Sequence, residues 1–364
     1  MKILILATHC NTGGITSYIL TLTKGLAQKG HSVHVVTSGG DREQELEKIG
    51  AIHTRLDIRT KSEVSYKVFT HIPALVKLVR QGRCDVIHAQ TRVTQVVAAI
   101  VSFFTRVPYV ATCHGFFKPR FFRRIFPCWG NATIAISQQV KEHLINDFSC
   151  DPNSVFLVPH GLDVSTKEWT PQEREERKNV LGLRSKMIIG IVARLSDVKG
   201  HDVLIRAMPR IIKQIPDADL VIVGQGKTEP FLKKLVRELF LEGRVHFFSS
   251  INGDDNLLPL FDVFVMPSRQ EGLGLSVMEA QAQGLAVVAS NVGGIPSLIE
   301  SGKTGVLVDK ENPAQLAGAI VDLLKDPDKR KKIACAAQAF AIKNFSLDPM
   351  VHGTLQAYAQ ARKL

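Results

Sequence analysis

Glu271 and Glu279 bracket a glycine turn in the stretch Phe264–Ala280, and chemistry is most legible there. Val263 to Met266 are apolar with β-branched members, as in a parallel strand covered on both faces. Pro267 stops that strand. Gly272 and Gly274 let the backbone turn sharply and come close to a ligand. A helix beginning near Gly274 leaves its first N–H groups facing the loop, where an anion is stabilised. Glu271 stands before the turn and Glu279 about one turn into the helix. The pocket so formed has a carboxylate on its loop side and another on its helix side. It suits a ligand with an anionic middle and hydroxyl-rich ends. Arg194 and Lys199 occupy a second loop, between a strand and a helix. An arginine fork and a lysine point charge at that position can neutralise phosphate oxygens.

The elements that must position these residues alternate between strand and helix. Ile3 to Ala7 reads as an opening strand, Cys10 to Gly14 as a turn, and Ile15, Tyr18, Ile19, Leu22 and Leu26 recur at helical spacing. Further strands are expected at Val33 to Val36, Asp85 to Ala89, Tyr109 to Thr112, Thr133 to Ile136 and Val155 to Val158. Ser137 reads as a helix N-cap. The polar stretch Ser165 to Lys186 reads as an inter-domain connection, after which the pattern restarts at Met187 to Val192. A helix over His201 to Ile215 follows, then strands at Leu220 to Val223, Val245 to Phe248, Val263 to Met266, Ala286 to Ala289 and Gly305 to Val308. Helices about Pro313 to Leu324 and Lys329 to Asn344, and one from Pro349, close the chain. This order predicts an α/β fold of two Rossmann-like domains facing across a cleft, with ligand at the carboxyl ends of both sheets. The expected bounds are 1–164, 165–345 and a C-terminal helix, 346–364, packed back on the first domain.

A chain of 364 residues with 45% hydrophobic content fits two soluble domains. The net charge of +12 implies an anionic partner: nucleotide, nucleic acid or lipid head group. The six cysteines contain no C-x-x-C pair, which argues against a zinc ribbon or dithiol site and for buried thiols in a reducing compartment. Lys2 to Ala7 is too short for a signal peptide, and Val96 to Phe104 is too short for a membrane span. A cytoplasmic protein is expected, peripheral at most on the inner membrane face.

At this point several motifs share a likeness. Glu271 and Glu279, with seven residues between, resemble the E-x7-E motif of glycosyltransferase family 4, retaining enzymes of the GT-B double-Rossmann fold. Arg194 to Gly200 resembles that family's R-x4-KG segment, Gly13-Gly14 its N-terminal glycine loop, Cys113-His114-Gly115 its first-domain histidine, and Pro159 to Asp163 its linker entry. The resemblance runs from Lys2 to about Phe345. It implies catalytic roles for His114, Arg194, Lys199 and Glu271, with the two cations on the departing diphosphate and Glu271 on the donor sugar. It implies donor binding by Gly13, Gly14, Gly224, Gly226, Gly272, Leu273, Gly274, Leu275 and Glu279, with Glu279 on the ribose. It also implies retention, the phosphate oxygen taking the acceptor's proton. No metal is expected. Asp217-Ala-Asp219 matches a metal-binding Asp-x-Asp only formally and reads as a turn, and Asp254-Asp255 reads as a helix cap. Phe248 to Ile251 is expected to contact the base.

On the acceptor side, Val86 to Lys141 contains no Asp or Glu. Within residues 116–129, Phe116, Phe117, Phe121, Phe122, Phe126 and Trp129 interleave with Lys118, Arg120, Arg123 and Arg124. That pattern fits an anionic membrane surface, a single-stranded nucleic-acid groove, or a packed helix with a wet basic face. Nucleic acid is the least expected. The sequence therefore points to a metal-independent retaining hexosyltransferase. Its donor is a nucleotide diphosphate sugar, UDP ahead of GDP, and it requires no other cofactor. Its acceptor is a glycan or a lipid-linked molecule of cell-envelope polysaccharide or glycolipid synthesis. The alternatives are a non-catalytic nucleotide-sugar binding protein and a GT-B-type sugar-nucleotide epimerase. A dinucleotide oxidoreductase lacks its G-x-G-x-x-G after Ala7.

Overall fold

The computed structural model describes residues 1–60, 65–118, 123, 125–162, 169–249 and 257–363. The chain divides into two compact units, Met1–Asp163 with Phe345–Leu364, and Val164–Asn344. Among the described residues the first unit carries β1 (Lys2–Leu6), β2 (Ser32–Thr37), β3 (Ile52–Arg55), β4 (Val86–Ala89), β5 (Tyr109–Cys113), β6 (Ala132–Ala135) and β7 (Val155–Leu157). They pair in parallel in the order β3-β2-β1-β4-β5-β6-β7. The second unit carries β8 (Met187–Val192), β9 (Ala218–Val223), β10 (Val245–Phe248), β11 (Val263–Met266), β12 (Ala286–Ser290) and β13 (Val306–Val308), in the order β10-β9-β8-β11-β12-β13.

Both sheets are doubly wound because both of their faces are apolar. In β1, Ile3 to Leu6 are all buried. Leu4 and Leu6 join Ile87, Ala89, Val97 and Val101 in one cluster, and Ile189, Ile191, Leu220, Ile222, Val263, Val265 and Val288 form the counterpart in the second unit. Parallel strands covered by helices on both sides require such continuous runs. Strand order reverses beside β1 in one sheet and beside β8 in the other, so the loops after β1 and β4, and after β8 and β11, open at the switch points where such sheets bind ligands. The expected α/β class and the paired parallel sheets are present.

Several elements differ from the expectation. β3 is an edge strand whose Ile52 is exposed, so it lacks the apolar alternation that would have marked it. The polar connection contains a helix, Pro171–Val180, opened by a capping box between Thr170 and Glu173. Its composition hid it, since a helix so polar needs little core. Asp219 is not in a turn: β9 begins at Ala218, and the buried Asp219 carboxylate accepts from Arg244 Nε at 2.8 Å and lies 3.1 Å from His246 Nε2. Burial acts most strongly and raises its pKa, but the hydrogen bonds from His246 and Ser185 and the charge of Arg244 together hold it below the usual carboxylate value. The last helix starts at Leu347, ahead of Pro349. Ser137 does cap its helix, accepting from the Val140 N–H.

The helix Leu347–Ala361 contacts the helix Gly14–Gln28 and strands β5 to β7 of the first unit. Gly25 makes room for it, since a Cβ there would stand 2.4 Å from a Val351 methyl.

Candidate functional site

In the second unit, four loops at the carboxyl edge of the sheet are pressed together by glycines. Gly200 lies in the left-handed region, and a Cβ on it would stand 1.9 Å from the Pro267 carbonyl oxygen, so the loop after β8 can touch the exit of β11. Gly224 and Gly226 do the same on the other side. Their added Cβ atoms would lie 2.1 Å from Ala193 O and 2.0 Å from Leu195 O. Gly293 and Gly294 meet the backbone of Glu271 and Gly272 equally closely, and the Gly294 N–H donates to Glu271 O at 3.1 Å. The pair Gly293-Gly294 was not singled out in the sequence.

That compression brings Lys199 and Glu271 into contact. The Lys199 ammonium donates to Glu271 Oε1, and the Ser268 hydroxyl donates to the same oxygen at 3.2 Å. Glu271 is buried, with 8% of its surface exposed, whereas Arg194 projects into solvent from the loop after β8. Gly274, at a φ of 99°, caps the helix Leu275–Ala282 without any side-chain bond, and Glu279 sits half-buried one turn in. Leu273 is buried and anchors the turn, with Gly272 and Leu275 half-buried around it.

Arg269 stands inside Phe264–Ala280, yet its role was not legible in the sequence. Its guanidinium donates to Asp202 Oδ1 and Oδ2 at 2.9 and 2.8 Å, to Glu311 Oε1 at 3.0 Å and to the Asp197 carbonyl at 2.7 Å. Its backbone N–H donates to Val198 O at 2.8 Å. One side chain thus ties the Lys199 loop, the helix His201–Gln214 and the loop after β13 to the glycine turn. The planar fork of arginine suits this task and the ammonium of lysine does not. No spacing rule marks such a residue, because its partners are distant in sequence.

In the first unit the groups gathered around β4 and β5 are uncharged, and the charged side chains Asp41, Arg42 and Glu43 stand apart, after β2. His114 follows β5, half-buried, with its Nε2 2.9 Å from Gln90 Oε1 and its ring edge-on to Tyr18 at 4.7 Å. His160 also lies edge-on to Tyr18, at 5.4 Å. His88 lies 2.7 Å from the Tyr358 hydroxyl and 2.6 Å from that of Thr112. Burial pushes His114 and His88 down to about 3 and His160 to about 4, so all three rings are neutral at pH 7. Gly13 (φ 156°) and Gly14 begin the first helix without a side-chain cap. Thr12, just before them, donates from its N–H to Asp41 at 2.7 Å and from its hydroxyl at 3.0 Å, which holds the turn on the loop after β2. Gln90, His88 and His160 were not chosen from the sequence, although His160 lay in a quoted motif.

The basic aromatic segment is largely folded inward where it is described. Phe116 packs on His143 at 5.3 Å, Trp129 on Phe148 at 5.3 Å, and the Arg123 guanidinium sits 4.6 Å above Phe117. Arg92 donates to the carbonyls of Phe126 and Pro127 at 2.6 and 2.5 Å. Ile125 and Phe126 remain exposed. Arg120, Phe121, Phe122, Arg124, Ser250, Ile251, Asp254 and Asp255 lie outside the described residues. Among the described residues, no helix is long and apolar enough to cross a membrane, and no three His, Cys, Asp or Glu side chains are grouped to hold a metal.

Comparison with known proteins gives concordant matches. Residues 12–166 match the family model described as Glycosyltransferase Family 4, and residues 173–340 that described as Glycosyl transferases group 1. An uncharacterized glycosyltransferase of Methanocaldococcus jannaschii is 28% identical over 97% of this chain and 95% of its own length. A D-inositol 3-phosphate glycosyltransferase of Corynebacterium diphtheriae is 28% identical over 97% of this chain and 91% of its own. Among solved structures, an Anabaena protein crystallised with UDP and glucose matches with a TM-score of 0.88 over 99% of each chain, at 24% identity, a likeness of fold.

Proposed function

The chain belongs to the family 4 glycosyltransferases, with the α/β GT-B fold, and from that membership we propose a retaining hexosyltransferase acting on a nucleotide diphosphate sugar. The observation that carries this reading is the contact of Lys199 with Glu271, 72 residues apart, on the glycine-compressed edge of the second sheet. It sets a cation for phosphate beside a carboxylate for sugar hydroxyls, as a diphosphate sugar requires.

As the sugar–phosphate bond breaks, negative charge grows on the departing diphosphate. Fixed cations placed there stabilise the transition state more than the ground state. Lys199 has more than one N–H to give, so it can keep Glu271 and also meet a phosphate oxygen. Exposed Arg194 is free to fold onto the same group with its fork. Glu271 accepts from donor-sugar hydroxyls, Glu279 from the ribose, and His114 serves the sugar. The glycine turns at Gly13-Gly14 and at Gly272 to Gly274 admit the diphosphate and sugar close to backbone N–H groups. The acceptor hydroxyl attacks the face from which the diphosphate leaves and passes its proton to a phosphate oxygen, which gives retention. The charge work rests on side chains and helix ends, so activity should survive a chelator.

We place UDP ahead of GDP as the nucleotide. The acceptor is a glycan or lipid-linked molecule of the cell envelope, reached from the cytoplasmic side. Ile125 and Phe126, beside Arg123, are the described part of any anionic membrane contact. Flotation on vesicles with and without anionic lipid tests that contact. The main test is a thermal-shift screen of UDP, GDP and ADP and their hexose conjugates, where ligand at a hundred times its Kd adds about 2.7 kcal/mol. It is followed by NMR of the product's anomeric proton. No shift with any nucleotide, or an inverted product, would refute the reading.

A further inference from the structure

We infer that Gln90 is a positioning residue: its amide oxygen accepts a hydrogen bond from His114 and so holds the imidazole as the Nε2–H tautomer, with a bare Nδ1 offered to a hydroxyl of the donor sugar. The inference rests on the proposed function for the identity of the sugar, and on geometry for the rest. Gln90 directly follows β4, and its backbone N–H donates to Leu6 O at 3.0 Å, so the sheet fixes its place. The side chain is buried, with 1% of its surface exposed, and Oε1 lies 2.9 Å from His114 Nε2.

An amide oxygen can only accept, so the proton of that bond belongs to the ring. A neutral imidazole has one N–H, and Nδ1 is then a lone pair. Burial and the neighbouring rings His160 and His88 disfavour a second proton, and Tyr18 is the other titratable group in contact. Among the described residues the hydrogen bond found for the ring is the one between Nε2 and Gln90. A bare nitrogen repels phosphate oxygens and accepts from O–H. His114 is therefore built to recognise the sugar and not the diphosphate, and it cannot serve as a general acid at neutral pH.

Long-range 1H–15N correlation on the full 15N-labelled chain at neutral pH reads the tautomer directly, with His114→Asn identifying the resonance. A protonated Nε2 and bare Nδ1 are expected. Gln90→Leu should mix the tautomers and lower kcat/KM about tenfold, the loss of one good hydrogen bond. Gln90→Glu should keep the Nε2 proton, raise the pKa of His114 and shift the pH–rate profile. This second variant carries the test if the leucine variant fails to fold. An Nδ1–H tautomer in the native chain, or an unchanged tautomer in Gln90→Leu, overturns the inference. The expected tautomer combined with a full transfer rate in His114→Asn would instead remove the ring from the sugar, and with it that part of the proposed function.

Discussion

At the carboxyl edge of the second sheet, Lys199 meets Glu271 and Arg269 meets Asp202 and Glu311. At that of the first, His114 meets Gln90 and Tyr18, and His88 meets Tyr358 and Thr112. The centre of one edge is held by opposite charges and the centre of the other by neutral rings, the first unit's ion pairs Arg42–Glu45 and Arg55–Glu43 lying off to the side, after β2 and in β3. Charges set in a fixed array suit a ligand whose own charge grows during reaction, because the array needs no reorganisation. Neutral donors and acceptors suit hydroxyls, whose charge does not change. The two edges therefore differ in what will break them.

The largest expected effect lies on the charged edge. Lys199→Ala and Glu271→Gln should each lower transfer kcat about a hundred- to a thousandfold while far-UV circular dichroism stays native. Near-normal turnover in both would end the contrast. The next effect separates the edges by pH. Unfolded imidazoles titrate near 6.5, whereas His88 and His114 are pushed down to about 3 and His160 to about 4. Between those values the unfolded chain binds more protons, so stability falls as pH drops below about 6.5. Each ring should remove about 1 kcal/mol by about pH 5.5. Among the described residues of the second unit one ring, His201, is pushed down comparably, to about 4, so the first unit should melt earlier in acid. The two tryptophans, Trp129 and Trp169, fall one in each unit, and single-tryptophan variants followed by fluorescence report them separately. Simultaneous melting at every pH would refute this.

Arg269→Ala should cost the second unit about 2 kcal/mol in urea unfolding followed at Trp169, as charge-assisted bonds are lost from a partly exposed site. It should also slow transfer by loosening the loop that carries Lys199. Arg269→Lys should recover little of either, since an ammonium cannot bridge Asp202 and Glu311 in one plane. Tyr358→Phe is the smallest change expected, about 1 kcal/mol off the first unit, with the second transition unmoved. A larger loss in the second transition would show the assignment of this helix to the first unit to be wrong.

Buried strands were easy to find because an apolar run covered on both sides is a local property: β8 and β11 stand where the residues placed them. The failures were also local in cause. β3 is an exposed edge strand, and the helix Pro171–Val180 is almost wholly polar, so neither has the periodicity that burial imposes. Asp219 was misread because its neighbours, a proline and a second aspartate, resemble a turn. Its partners Arg244 and His246 lie at the start of the next strand, the first just before it and the second in it.

The sequence alone determined the strand–helix order, the two parallel sheets and the residue types gathered at strand ends, since hydrophobic period and glycine placement act over a few residues. The tertiary structure alone decided that Lys199 reaches Glu271, that Arg269 binds three segments together, and that Gln90 faces His114. Contacts of that kind depend on which loops the sheet order makes neighbours, and no spacing along the chain encodes them.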